Sequence, residues 1–97
     1  MKKEWEEIRK LVDQALYGLI DCLAAYDCPV PEPGYELMAE TGEIIACAEL
    51  AWEELQIALL REEEVGYQPF FEDAGWRIFL LAEVMTEPDK FCTMLNK

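Results

Sequence analysis

The most informative absence from this 97-residue sequence is histidine, of which it has none. Enzymes that activate a serine or cysteine nucleophile through an imidazole are therefore excluded. The four cysteines, Cys22, Cys28, Cys47 and Cys92, form no C-x-x-C pair, so the spacing of a zinc site is missing as well. No glycine-rich phosphate loop occurs, and no apolar run approaches the roughly 18 residues of a membrane span.

The first residues include two lysines, but acidic residues follow them in place of an apolar stretch. This pattern predicts no signal peptide and no contact with a membrane, and hence a cytoplasmic protein. In that reducing compartment the cysteines are expected to be free thiols. The alternative is one disulfide that involves Cys28, which lies in a predicted loop.

Positive charge is scarce and unevenly placed, and the net charge is -13. Residues 1–27 carry four basic and six acidic groups, whereas residues 28–97 carry four basic and fifteen acidic groups. A chain this acidic repels phosphate groups, so direct binding of DNA or RNA is not expected. The charge instead predicts a partner protein with a basic surface. The alternative is that the charge only keeps the protein in solution.

Residues 1–27 have the apolar period of an amphipathic helix, with a stripe wide enough to lie on a sheet. A homodimer through this helix is an alternative, although only about three heptads are available. The following run, CPVPEPG, has three prolines within five residues and cannot continue a helix. It predicts a stiff connection within one domain.

Residues 34–82 predict a sheet with one helix. Residues 35–40 alternate in polarity, and Thr41 and Gly42 can form a tight turn. Residues 44–52 are apolar on both faces, as in a central strand, and residues 55–60 give a third strand. The rival interpretation makes residues 43–64 one long helix within an all-α bundle, which their alanine, leucine and glutamate content favours.

Residues 69–81 favour the sheet. Pro69 suits the first turn of a helix, Gly75 suits a helix C-terminal cap, and residues 76–81 form an apolar strand. Residues 86–96 predict a short last helix that opens with a capping box from Thr86 to Asp89. The sequence therefore predicts one α+β domain of order α-β-β-β-α-β, with a mixed four-stranded sheet packed by the long N-terminal helix.

This order, together with Gly42-Glu-Ile-Ile-Ala, Ala48-Glu-Leu-Ala-Trp52 and Ala74-Gly-Trp76, resembles the PD-(D/E)XK superfamily of nucleases. The chain is similar to its small repair-endonuclease-like and helicase-associated members over about residues 3 to 82. The resemblance implies a divalent metal held by one acid on the second strand and by an acid-x-Lys pair on the third, with Mg²⁺ as the metal.

The metal ligands that the resemblance implies are mostly missing. Glu49 matches the first acid and is the one weak catalytic candidate. The third strand offers Leu60, then Arg61, where the second acid is expected, and no lysine occurs between residues 10 and 90. We therefore predict no metal site and no cofactor, with Mg²⁺ required only if the nuclease interpretation holds. Glu49 would otherwise be a buried glutamate that pairs with Arg61 or Arg77, or it would lie at a strand edge in water.

We predict a non-catalytic acidic protein that binds the basic surface of a nucleic-acid-processing protein. In size and charge it is similar to small acidic anti-CRISPR and DNA-mimic inhibitors of phages. The alternative is an inactive or partner-completed nuclease-like accessory module in DNA repair or defence. Aromatic residues are frequent contact anchors, but Trp52 and Trp76 are expected in the core. The predicted partner-binding residues are Glu53, Glu54, Glu62, Glu63, Glu64 and Tyr67.

Overall fold

The computed structural model describes residues 3–96 of the chain, and the α+β class predicted from the sequence is confirmed. The chain forms two compact units. Unit 1 consists of residues 1–30 and 84–97, and unit 2 consists of residues 31–83. The interpretation of residues 1–97 as one domain stays a prediction.

Unit 1 is helical. Its helices are α1 (Lys3–Leu11), a 3₁₀ helix (Gln14–Leu16), α2 (Tyr17–Ala25) and α5 (Pro88–Leu95), and α2 packs against both α1 and α5. The apolar stripe predicted from the sequence is buried. Its buried members include Trp5, Ile8, Val12, Leu16, Leu19, Ile20 and Leu23.

The prediction of one continuous helix over residues 1–27 is wrong, because the helix breaks at Asp13. This residue has extended backbone angles (φ -62°, ψ 144°), and its carboxylate accepts a hydrogen bond from the N–H of Ala15 at 3.2 Å. An aspartate side chain offers the backbone a local partner that competes with the helical hydrogen bond. The apolar period continues through the break, so periodicity alone does not reveal it. Residues 1 and 2 lie outside the described part of the chain.

Unit 2 contains one sheet in the order β1-β2-β3-β4. Its strands are β1 (Glu32–Met38), β2 (Ile44–Trp52), β3 (Ile57–Leu60) and β4 (Arg77–Leu80). β2 pairs antiparallel with both β1 and β3, and β4 pairs parallel with β3. The rival interpretation of an all-α bundle is therefore wrong.

The strand boundaries differ slightly from the predicted ones. β1 begins at Glu32, within the proline-rich run, since an edge strand tolerates the missing N–H of Pro33. β3 begins at Ile57 because residues 53–56 form a turn. The predicted turn after β1 is confirmed at Gly42, which has a φ of 89° and donates its N–H to the oxygen of Ala39 at 2.9 Å.

Helix α3 (Gln68–Asp73) connects β3 to the parallel strand β4. Pro69 lies in its first turn, as predicted, and Gly75 ends it with a φ of 90°. The N–H of Trp76 donates to the oxygen of Phe71 at 3.0 Å, which gives the two-bond pattern of a Schellman cap together with the bond from Gly75 to Glu72. The sharp end of α3 sets the start of β4.

The core of unit 2 forms around Trp76, of which 7% is exposed. Its ring lies 5.1 Å from that of Tyr35 and 5.4 Å from that of Phe71, the latter in an edge-to-face arrangement. Such aromatic pairs add stability beyond the area that they bury. The buried members of this cluster are Ala46, Ala48, Ala51, Ala58, Leu60, Phe71 and Trp76.

The C-terminal region differs from its prediction. An unpredicted helix, α4 (Leu81–Thr86), follows β4 directly, so Thr86 ends one helix and does not cap the next. Glu87 is the N-cap of α5 and makes no side-chain capping bond, although Pro88 occupies the first turn as predicted. No helix between residues 3 and 96 combines the length and apolar character required to cross a membrane.

Candidate functional site

Arg61 lies at the centre of a group of carboxylates at the end of β3. Its Nε is 3.4 Å from Oε2 of Glu49, and its Nη1 is 3.7 Å from Oε1 of Glu63. Its backbone N–H donates to Oε1 of Glu64 at 2.9 Å. The β2–β3 register explains the first contact, because Leu50 faces Leu59 and the neighbouring Glu49 therefore lies beside the end of β3. We call these four residues the Arg61 cluster.

The surroundings of Glu64 in the Arg61 cluster disfavour the ionised form of its carboxyl group. Burial raises the pKa of the Glu64 carboxyl above its ordinary value, and the negative charges of Glu49 and Glu63 raise it further. The hydrogen bond from the Arg61 N–H and the positive guanidinium act in the opposite direction. One cation thus serves three carboxylates, so Arg61 is required for their close approach.

The residues present do not fit the Mg²⁺ that the nuclease resemblance implies. A guanidinium contacts Glu49, and Leu60, at the position expected for a second acid, is a fully buried apolar residue. Between residues 3 and 96, no group of three His, Cys, Asp or Glu residues is arranged to hold a metal ion. The pairing of Glu49 with Arg61 was one of three alternatives that the sequence left open, and it is confirmed.

The predicted partner-binding acids fall into two groups at opposite ends of β3. Glu53 and Glu54 are exposed in the β2–β3 turn, whereas Glu62, Glu63 and Glu64 follow β3 in a 3₁₀ helix (Glu62–Tyr67). A four-residue strand with a rise of about 3.3 Å per residue spans about 10 Å from end to end. The six predicted residues therefore do not form one contiguous patch.

The turn group is the smaller of the two and lies near Tyr35. Burial raises the pKa of the Tyr35 hydroxyl, and the negative charges of Glu53 and Glu32 add to this effect. The turn itself is held by the N–H of Arg77, which donates to the oxygen of Gln56 at 2.8 Å. Acidic residues are concentrated at the β2–β3 turn, but the ring of the neighbouring aromatic residue, Tyr35, packs against the core.

The second group continues into an exposed aromatic surface. Tyr67 is 37% exposed and Phe70 is 46% exposed, and their three-residue spacing at the start of α3 gives them a common face. Val65 is 37% exposed. Sequence reasoning identified Tyr67 but missed Phe70, although the helical spacing from Tyr67 could have revealed it. The surface formed by Glu62, Glu63, Val65, Tyr67 and Phe70 is called the acidic–aromatic surface below.

Most of the aromatic residues considered as contact anchors lie in the core. Trp5, Trp52 and Trp76 are buried, and Tyr35 is partly buried. Tyr67 is the exposed member of that set. The core placement expected for Trp52 and Trp76 is therefore confirmed, and of these five aromatic residues only Tyr67 is exposed.

Unit 1 has a small cleft of different chemistry. Glu6, Arg9, Lys10 and Tyr17 line its volume of about 250 Å³. The guanidinium of Arg9 lies 4.0 Å from the centre of the Tyr17 ring, and its Nε is 3.2 Å from Oδ1 of Asp21. Arg9 therefore already has a carboxylate partner and an aromatic partner within unit 1.

Comparison with known proteins gives one informative similarity. Zorya protein ZorE from Escherichia coli (strain Crooks) is 35% identical to the chain over 85 residues. The match covers 88% of this chain but 21% of that protein, so the chain spans about a fifth of the length of the curated relative that it matches. No family model matches the chain, and no solved structure matches it.

Proposed function

We propose that the chain is a non-catalytic, acidic protein-binding module of a bacterial defence protein or complex. The similarity to Zorya protein ZorE, a component of a bacterial defence system, supports the defence setting. The acidic–aromatic surface supports a protein partner with a complementary basic surface. A nucleic-acid-processing protein has such a surface because it must bind phosphates.

The observation that carries this proposal is the composition of the acidic–aromatic surface. Aromatic side chains in the centre of an interface supply much of the binding energy, and surrounding charges supply specificity and faster association. Tyr67 and Phe70 provide the first element, and Glu62 and Glu63 provide the second. The side chain of Glu63 is 68% exposed, so most of it remains available to a partner.

The Arg61 cluster supports a binding role over catalysis. The PD-(D/E)XK resemblance is part of the proposal: the fold would remain as a scaffold, with the guanidinium of Arg61 beside Glu49 in place of a metal. Arg61 would then hold the start of the 3₁₀ helix that presents the acidic–aromatic surface. This assigns Glu49, which matches the first acid of the nuclease resemblance, a structural role.

A second candidate is an inhibitor of the anti-CRISPR or anti-restriction type that mimics DNA. The net charge of -13 favours it, because spaced carboxylates can imitate phosphates. The two candidates predict different effects of added DNA on the binding of the chain to its partner. An inhibitor competes with DNA for its target, whereas a module within a defence complex stays bound when DNA is added.

Affinity capture from a lysate of the organism that encodes the chain tests the proposal, with capture at about 0.05 M and about 0.5 M salt. We expect a nucleic-acid-processing protein to bind the wild type and to bind the double variant Glu62→Gln/Glu63→Gln at least about tenfold more weakly at low salt. The matched control is Glu4→Gln/Glu7→Gln, which removes the same charge from exposed positions of α1. Equal weakening in both variants would refute a role for this surface.

A second variant separates the aromatic part of the surface from its charge. Tyr67→Ser/Phe70→Ser is expected to reduce binding at both salt concentrations, because the contact of these rings does not depend on ionic screening. Unchanged binding by this variant would mean that the aromatic side chains do not contribute and that charge attraction alone accounts for the interaction. Displacement of the captured protein by duplex DNA would favour the inhibitor.

A further inference from the structure

Three of the four cysteines meet in unit 1, although the sequence separates them widely. Cys22 lies in α2, Cys28 follows α2, and Cys92 lies in α5. The sulfur atoms of Cys22 and Cys92 are 3.9 Å apart. The thiol of Cys28 is directed at the backbone oxygen of Cys92, at 3.8 Å. All four cysteines are free thiols.

We propose that Cys22 and Cys92 form a redox modification site, which hydroperoxides convert into a disulfide that joins α2 to α5. The sulfur atoms are close to van der Waals contact, and a disulfide requires them to approach to about 2.05 Å. Disulfide formation therefore requires the two sulfur atoms to move closer by about 1.9 Å. The thiols of Cys28 and Cys92 also interact, so Cys28 competes with Cys22 for Cys92.

Cys28 is the other candidate partner of Cys92, and a disulfide that involves it was the alternative to free thiols in the sequence analysis. Its thiol hydrogen bonds to a carbonyl oxygen and is buried, with 4% of the residue exposed. Cys47 lies in β2, within unit 2. Since Cys92 is buried as well, a pair of Cys28 with Cys92 has no exposed thiol for an oxidant to reach, whereas the pair of Cys22 with Cys92 has one.

The two thiols differ in access, which sets the order of events. Cys22 is partly exposed, whereas Cys92 is fully buried. The oxidant therefore reaches Cys22 first, and Cys92 acts as the resolving thiol. The thiol of Cys22 also donates to Oδ1 of Asp89 at 3.5 Å, which holds it at the surface of α5.

The reaction balances with one hydroperoxide. The sulfur of Cys22, as thiolate, attacks the peroxide oxygen and becomes a sulfenic acid, while hydroxide leaves from hydrogen peroxide. The thiol of Cys92 then attacks the sulfenic sulfur and forms the S–S bond, and water leaves. In total two thiols lose two protons and two electrons, and one peroxide is reduced to two waters.

The surroundings make the first step slow. Burial raises the pKa of Cys22 to about 12, with Cys92 and Asp89 adding to the effect, and burial raises the pKa of Cys92 to about 11. Thiolate is the reactive form, so few molecules react at neutral pH at any moment. The site therefore responds to sustained oxidation and stays reduced during brief exposure.

The disulfide would close a large covalent ring. Cys22 and Cys92 are 70 positions apart, and all of unit 2 lies between them. A cross-link that closes a long loop restricts the unfolded chain and stabilises the folded one. We expect the midpoint of thermal unfolding to rise by at least about 8 °C on oxidation and to fall back on reduction with dithiothreitol.

The experiment uses hydrogen peroxide on the folded chain, followed by alkylation of remaining thiols in denaturant and peptide mapping by mass spectrometry. The expected product links Cys22 to Cys92 and leaves Cys28 and Cys47 alkylated. The Cys47→Ser variant should give the same product. The Cys22→Ser variant should give no cross-link and no rise in the unfolding midpoint.

Oxidation of the urea-unfolded chain is the second arm of the experiment. Proximity in sequence favours Cys22 with Cys28 in that state, because only six positions separate them. The proposal would be overturned if the folded protein also linked Cys22 to Cys28. It would be overturned as well if all four thiols were still alkylated after prolonged oxidation. Over-oxidation of Cys22 to a sulfinic acid while Cys92 remains a thiol would overturn it too.

Discussion

Unit 2 is one continuous piece of chain, whereas unit 1 is assembled from two segments that unit 2 separates. Their charges differ as well. Residues 31–83 carry thirteen acidic and two basic residues, a net charge of -11, whereas residues 1–30 and 84–97 together carry eight acidic and six basic residues, a net charge of -2. Most of the net negative charge thus lies in unit 2, whereas three of the four thiols lie in unit 1.

The difference in connectivity affects the free energy at which each unit opens. The pairing of β1 with β2 closes a short hairpin, while the pairing of α2 with α5 must close a loop that contains all of unit 2. Loop closure becomes more costly in entropy as the loop lengthens. We therefore expect unit 1 to open at a lower free energy than unit 2, as measured by amide hydrogen exchange in the reduced protein.

The largest expected effect comes from the core of unit 2. Trp76→Ala should lower the free energy of unfolding by about 3–5 kcal/mol, because the ring is buried against Tyr35 and Phe71. Chemical denaturation gives the total loss, and hydrogen exchange should assign it mainly to residues 31–83. Trp5→Ala, at a residue that is 1% exposed, is the matched change in unit 1. A loss below about 1 kcal/mol for Trp76→Ala would contradict this core placement.

The second-largest expected effect comes from a change in the Arg61 cluster. Arg61→Met should cost about 1.5–3 kcal/mol, because it removes the charge-assisted contact of the guanidinium with the partly buried Glu49 carboxylate. The side chain of Glu49 is 22% exposed, so water can compensate only in part. The double variant Arg61→Met/Glu49→Gln should recover part of the loss in denaturant titrations. Strict additivity of the two single changes would mean that the ion pair contributes nothing.

Asp13 tests the helix break in unit 1. Asp13→Ala should cost about 1 kcal/mol, since the N–H of Ala15 loses its side-chain acceptor. Asp13→Asn keeps an acceptor oxygen and should cost clearly less. Equal losses for the two variants in thermal unfolding would show that the charge of Asp13, and not its capping bond, stabilises this turn.

The smallest expected effect is the pH response of Glu64. Its pKa is raised in the folded state, so the folded protein binds a proton more readily than the unfolded chain does. The contribution of this group is therefore fully present below the pKa of the unfolded chain and is lost as pH rises through the folded pKa. Glu64→Gln keeps an acceptor for the Arg61 N–H and should remove this loss.

Denaturant titrations of the wild type and Glu64→Gln at a series of pH values would check the sign. The stability of the variant relative to the wild type should increase as pH rises from the acid range through the folded pKa. Parallel curves over that range would contradict the burial of the Glu64 carboxyl.

Much of unit 2 could be predicted from local chemistry. Gly42 and Gly75 mark positions of positive φ, and Pro69 marks the first turn of α3. These residues act through their own backbones, so their effects do not depend on distant parts of the chain. The break at Asp13 was missed because an aspartate is also compatible with a helical surface, and a local hydrogen bond decides between the two.

The candidate site was predicted less completely. The pairing of Glu49 with Arg61 could be stated only as one of three possibilities, because the β2–β3 register that places Glu49 beside the end of β3 depends on strand pairing. Trp5 was a potential contact residue because tryptophan is frequent in interfaces, but its burial excludes it from that role. The meeting of Cys22 with Cys92 could not be read from a separation of 70 positions.

The insertion of unit 2 between the two segments of unit 1 also sets an order of events during protein synthesis. A ribosome adds about 5–20 residues per second, and it completes unit 2 before it reaches α5. In that interval the apolar side chains of the first segment, Trp5 and Leu23 among them, lack the helix that completes their unit. Until α5 is synthesised, the first segment of unit 1 thus keeps apolar side chains without their packing partner, and that segment is where a chaperone has the most to protect.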